Sequence, residues 1–160
     1  MTSLEELYRQ YSQDVFRFAY WLSGSRSEAE DITSETFVRA WVGAEDLRMA
    51  TVKAYLIAIA RNVFLQSRRR DRRHGPLEVD VADPGPGPEV QAERRDELGA
   101  VLARLQQLPE ADRAALLMHA EFELPYEEIA RALGVSLPAV KVRVHRARLK
   151  LARACERGRG

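Results

Sequence analysis

The chain has 160 residues, with 25 Lys and Arg against 24 Asp and Glu and a single cysteine. This length admits one domain or two small ones; the near balance of charge excludes a generic polycation, and one cysteine excludes an intramolecular disulfide or a multi-cysteine zinc site. No apolar run approaches the ~20 residues of a membrane helix, and the opening MTSLEELYRQ lacks the basic region and apolar core of a secretory signal, so a soluble, cytoplasmic protein without membrane insertion is expected.

Leu4, Leu7, Tyr8, Tyr11, Val15, Phe18, Ala19 and Leu22 recur at helical spacing and predict a first helix over 3–22, ended by Gly24. Ser27 with Glu30 reads as a capping box for a second helix, SEAEDITSETFVRAW. Its inward side is expected at Ala29, Ile32, Phe37, Ala40 and Trp41, leaving Glu30, Asp31, Ser34, Glu35 and Arg39 outward. Acids in the first turns of a helix also have a plain role, compensating the dipole by ~0.3–1 kcal/mol each. Val42 to Thr51 predicts a loop containing Gly43, Asp46 and Arg48. A third helix, VKAYLIAIARNVFLQSRRR, offers Tyr55, Leu56, Ile59, Ala60, Val63 and Phe64 to the core. It closes on Arg68, Arg69, Arg70, Arg72 and Arg73. Cations there suit a helix C-terminus and are equally able to touch phosphates. Trp21, Trp41, Tyr55 and Phe64 read as core residues in preference to base-stacking platforms.

Residues 74 to 92 contain Glu78, Asp80, Asp83 and Glu89 and no Lys or Arg, with Pro76, Pro84, Pro86 and Pro88 alternating with glycines. Prolines at that density forbid a regular helix, so this is a flexible acidic Pro/Gly linker, up to ~60 Å long at ~3.3 Å per residue. The expected architecture is therefore all-α. Two small helical domains, 1–73 and 93–160, sit on a long tether and do not form one compact body.

Helices resume near Gln91, where Leu98, Val101, Leu102, Leu105 and Leu108 form an apolar stripe, and Pro109 opens another helix through Ala111, Ala114, Ala115, Leu117 and Met118. The last stretch, LPYEEIARALGVSLPAVKVRVHRARLKLAR, reads as two helices about a tight turn. Ile129, Ala130 and Leu133 share one face, Gly134 suits a left-handed turn position, Ser136 can cap the next helix, and Pro138 is tolerated in its first turn. That second helix sets Val140, Val144, Ala147 and Leu151 on one side and Lys141, Arg143, Arg146, Arg148, Lys150 and Arg153 around the rest. From Lys141 onward the only acid is Glu156. A short helix, a glycine turn and a basic second helix make a helix-turn-helix, whose second helix enters the DNA major groove.

Nothing in the chain reads as a catalytic centre. There is no Gly-rich phosphate loop. His74, His119 and His145 are not at ligand spacing on one helix, so no metal site or cofactor is expected. Cys155, between Arg153 and Arg157, is a lone cysteine with no partner chemistry in sequence.

Both halves match one pattern in order. EAEDITSETFVRAW, then AYLIAIARN with its arginine run, and LPEADRAALLMHAEFELPYEEIARALGVSLPAVKVRVHRARLKL together resemble the extracytoplasmic-function (ECF) sigma factors of the sigma-70 family. The resemblance implies a dissociable subunit of bacterial core RNA polymerase, monomeric when free, that selects −35/−10 promoters and assists their melting. Asp31, Ser34, Glu35 and Arg39 then lie on the face that meets the polymerase clamp. Arg48, Lys53, Arg61 and Asn62 would face the unpaired strand of the −10 element. Lys141, Val142, Arg143 and Arg146 occupy the −35-reading stretch, Ser136 stands at its start, and Arg148 and Lys150 hold phosphates. Members of this family are commonly held by an anti-sigma factor. The chain departs from the family's usual residues at Val142 (often serine), Ser34 (glutamine), Glu123 (glycine), Pro125 (serine) and Tyr55 (tryptophan). Two other classes fit part of the pattern: a dimeric helix-turn-helix repressor, which needs a self-association surface, and a helical protein-binding adaptor, against which the basic helix weighs.

Overall fold

The computed structural model describes residues 3–43, 47–74 and 97–157, with side chains of His74 and of 155–157 left aside. The acidic segment from 75 onward, the helix start near Gln91, Asp46 and the side chain of Cys155 lie outside the described residues. The described chain is helical: α1 Leu4–Ser23, α2 Arg26–Val42, α3 Val52–His74, α4 Glu97–Gln106, α5 Glu110–Ala120, α6 Tyr126–Leu133 and α7 Leu137–Arg157.

Local chemistry sets the helix ends. Ser3 and Glu6 form a reciprocal capping box on α1, and Gly24 at φ 75° stops it, its N–H donating to the Tyr20 carbonyl at 2.8 Å. The cap of α2 is Ser25, whose hydroxyl accepts from the Glu28 N–H, and not Ser27 as the sequence suggested. Both serines have a glutamate three residues on, and Ser25 holds the extended cap conformation. Thr51 Oγ1 accepts from the Ala54 N–H at 3.1 Å where α3 begins.

α2 turns Ala29, Ile32, Thr33, Thr36 and Phe37 inward. The two threonine hydroxyls donate back to the carbonyls of Ala29 and Ile32 at 2.7 and 2.6 Å, so they enter the core with their polar atoms satisfied. The buried face thereby leaves out Trp41, which is 56% exposed beside Val38 and Val42. The expectation of a core tryptophan there was wrong. α3 is the central rod. Ala54 and every residue from Leu56 to Ala60 are fully buried, because α1 and α2 cover one side and α6 approaches the other.

The two halves are not held apart. α1 packs on α4 and α5, α3 packs on α6, and one apolar cluster runs through both halves. Phe122, between α5 and α6, meets Phe18 of α1 edge-on at 5.7 Å, with Arg17 and Lys53 over its ring. Arg113 on α5 is buried and donates to the carbonyls of Leu105, Leu108 and, across the halves, Leu22. Burial pushes its pKa below the usual arginine value, with Glu110 opposing that shift. Gln106 donates to the Trp21 carbonyl at 2.8 Å, and Glu128 accepts from the Ala50 N–H at 2.7 Å. The tether length permitted separation; apolar matching and these polar contacts favour closure.

Candidate DNA-reading and polymerase-facing surfaces

The helix-turn-helix forms as the spacing demands. α6 buries Ile129, Gly134 takes φ 67° at its end, and Ser136 Oγ accepts from the Ala139 N–H at 3.3 Å to open α7. Two departures from the family's usual residues have local consequences. Glu123 sits at φ 55°, the left-handed region where glycine is at ease, and Pro125 at the cap of α6 supplies no side-chain hydrogen bond. Tyr126 instead lies against His119, ring centres 4.7 Å apart and planes tilted by 31°.

α7 rests on α5 through Val140, Val144 and Ala147, all buried. Ser136, Lys141, Val142, Arg146, Arg148 and Lys150 are exposed, and Arg143 is half-buried. Val142, 56% exposed, offers methyl groups where a hydroxyl would make a polar contact. His145, exposed one turn beyond Lys141 and Val142, joins this surface; its spacing from the other histidines gives no sign of that in the sequence.

Two arginines of α7 are tied to one carboxylate. Arg146 grips Asp112 side-on, Nε to Oδ2 at 2.8 Å and Nη2 to Oδ1 at 2.9 Å, and Arg143 Nη1 reaches Oδ1 at 3.5 Å. Asp112 is wholly buried on α5. The hydrogen bond to it raises the Arg146 pKa above the usual value. Lys141, Arg148 and Lys150 have no such anchor in the described structure.

In the N-terminal half the four residues expected at the single strand differ in exposure and in partners. Arg48 is exposed, and Lys53 and Asn62 are half-buried, Lys53 over the Phe122 ring. Arg61 is only 9% exposed and pairs bidentately with Glu110 of α5 at 2.9 and 2.7 Å. Of the set expected to meet the clamp, Asp31, Glu35 and Arg39 line one hollow of 260 Å³ between α2 and α3. Arg39 is held there by Glu35 at 3.0 Å and Gln66 at 2.5 Å. Ser34 instead lines a second hollow, of 410 Å³, with Tyr8, Ser12 and Phe16 of α1. Among the described residues no three His, Cys, Asp or Glu cluster to hold a metal, and no helix is long and apolar enough to cross a membrane.

The same division appears in comparisons with known proteins. Residues 7–74 match sigma-70 region 2, and 98–151 match sigma-70 region 4. The chain is 41% identical over 157 residues to the ECF RNA polymerase sigma factor SigE of Mycolicibacterium smegmatis, covering 94% of this chain and 61% of that one. It is 31% identical over 155 residues to the RNA polymerase sigma factor YlaC of Bacillus subtilis, covering 93% of this chain and 90% of that protein. Its fold matches the sigma factor RpoE of Bartonella quintana, solved in complex with the anti-sigma factor NepR, with a TM-score of 0.76, 24% identity and 98% of each chain covered. The chain belongs to the ECF sigma factors of the sigma-70 family. It is an RNA polymerase sigma factor, of the class that directs promoter-specific initiation of transcription.

Proposed function

We propose that the chain acts in the cytoplasm as a non-catalytic, dissociable subunit of bacterial core RNA polymerase, with its two halves dividing the promoter. The C-terminal half reads the −35 element: α7 enters the major groove, Arg143 and Arg146 face base edges, and Arg148 and Lys150 hold phosphates. The N-terminal half meets the polymerase clamp through Asp31, Glu35 and Arg39, with Ser34 at the margin. Its loop around Arg48, with Lys53, Arg61 and Asn62, takes the unpaired −10 strand during melting. An anti-sigma factor is a further proposed partner, because the RpoE chain that shares this fold was solved bound to one.

The observation that supports this reading most is α7 itself. It is anchored by Val140, Val144 and Ala147, with basic residues on its free sides, and it is preceded by a short helix and a left-handed glycine. Run-off transcription with purified core polymerase on a promoter library tests it. New start sites sharing a −35 and a −10 sequence are expected only when the protein is added. Asp31→Arg is expected to lose core binding in a pull-down, and Arg143→Ala to keep core binding while losing promoter-specific starts. No new starts together with no core binding would return the protein to the repressor or adaptor class.

A further inference from the structure

We propose that Asp112 is a positioning residue for promoter readout: it fixes the guanidinium of Arg146 so that its free end reads one guanine of the −35 element. The proposal rests on the assignment of α7 to that element. An arginine carries five N–H donors in a planar fork. Asp112 engages Nε and one hydrogen of Nη2, at 2.8 and 2.9 Å. The terminal edge, with both Nη1 hydrogens and the second on Nη2, has no partner among the described residues, and that edge fits guanine O6 and N7 bidentately.

Burial separates this arrangement from a plain structural tie. The carboxylate of Asp112 is fully buried, whereas the Arg146 side chain remains 49% exposed. The cation is held at its inner edge and open at its outer one. α5 and α7 already pack together, with Val140, Val144 and Ala147 of α7 buried, and buried ion pairs are in general weak contributors to stability. A guanidinium fixed before binding loses less side-chain freedom on reaching the base. It is also kept from swinging to a phosphate, where it would carry no sequence information. Arg143, at 3.5 Å from the same Oδ1, adds a second cation that keeps the carboxylate in place.

The test uses holoenzyme assembled with core polymerase and a promoter set in which each −35 base pair is replaced in turn. Arg146→Ala is expected to flatten the preference at one base pair. Asp112→Asn, nearly isosteric, is expected to flatten the same base pair about tenfold, leaving the others and the core affinity as in the parent. The double variant is expected to add nothing further. Should Asp112→Asn fail to assemble with polymerase, Asp112→Glu carries the test. It keeps the charge but displaces it by one methylene, and a changed preference at that base pair alone is expected. If Arg146→Ala flattens its base pair and the Asp112 variant does not, or weakens all base pairs equally, the positioning role is wrong and the readout assignment stands. If Asp112→Asn sharpens the preference, Asp112 restrains Arg146 and the proposal is likewise overturned. If Arg146→Ala alters no base preference, the readout assignment itself falls, and the positioning role with it.

Discussion

Two backbone positions carry identifiable strain or constraint. Glu123 holds φ 55°, a conformation that costs a side-chain-bearing residue ~1–2 kcal/mol. Its placement follows from the chain reversal between α5 and α6, where the Leu124 N–H returns to the Met118 carbonyl at 2.9 Å. Glu123→Gly relieves that strain, partly offset by a freer unfolded chain, and is expected to stabilise the protein by about 0.5–1 kcal/mol. A rise in thermal midpoint would show it, and a fall would mean that the glutamate side chain makes a compensating contact. Gly24 is the opposite case. It has φ 75°, and a Cβ built there would lie 2.8 Å from Gln106 Cδ. Gly24→Ala therefore strains the cap of α1 and displaces the side chain that donates to the Trp21 carbonyl. A loss of about 1–2 kcal/mol in chemical denaturation is expected. The glycine was legible in sequence as a helix stop; its second duty, as the space into which Gln106 fits, depends on a neighbour 82 positions away and has no local signal.

At the level of elements, α5 organises the C-terminal half. Its apolar residues were readable from the 3.6-residue period, as were Val140, Val144 and Ala147 on α7. Its charged residues were not, because Glu110, Asp112 and Arg113 in a first turn look like ordinary dipole compensation and solvated face. In the structure each has a distant partner: Arg61, Arg146 and the Leu22 carbonyl. Trp41 misled in the other direction, since α2 buries two threonines whose hydroxyls bond back along the helix, and its terminal turn projects past the core. Arg113 ties the α4–α5 corner by donating to the carbonyls of Leu105 and Leu108 at 2.9 Å each. Removing the guanidinium leaves buried acceptors unpaired, at ~1–3 kcal/mol each. Arg113→Ala is expected to destabilise by about 3 kcal/mol or more, with Arg113→Lys recovering only part of that because one ammonium cannot span the three carbonyls. Denaturant titration of the two variants beside the parent checks both the size and the order.

Across the whole molecule, closure of one half on the other bears on the proposed strand contact. Arg61, proposed above to meet the single strand, is engaged by Glu110, and Lys53 lies over Phe122. The closed arrangement therefore covers part of the surface that the −10 strand would occupy, and the pair must separate before Arg61 can meet a phosphate or a base. With 11% and 22% of their side chains exposed, Arg61 and Glu110 are shielded enough for the pair to matter and wet enough to feel salt. Breaking it by Glu110→Gln removes the charge complement and weakens closure by about 1–2 kcal/mol, a shift of roughly 5- to 30-fold in the equilibrium between closed and open forms. The apolar contacts of Phe18 and Phe122 remain in that variant, so the halves are expected to loosen and not to unfold. Small-angle scattering should show a larger radius of gyration for Glu110→Gln than for the parent, and the free variant should bind a single-stranded −10 oligonucleotide more tightly at equal salt. Arg61→Gln is expected to open the molecule by the same amount without the gain in strand binding, because it removes the group that closure conceals. Equal radii and equal strand affinities across all three proteins would show that the Arg61–Glu110 pair does not govern access to this surface.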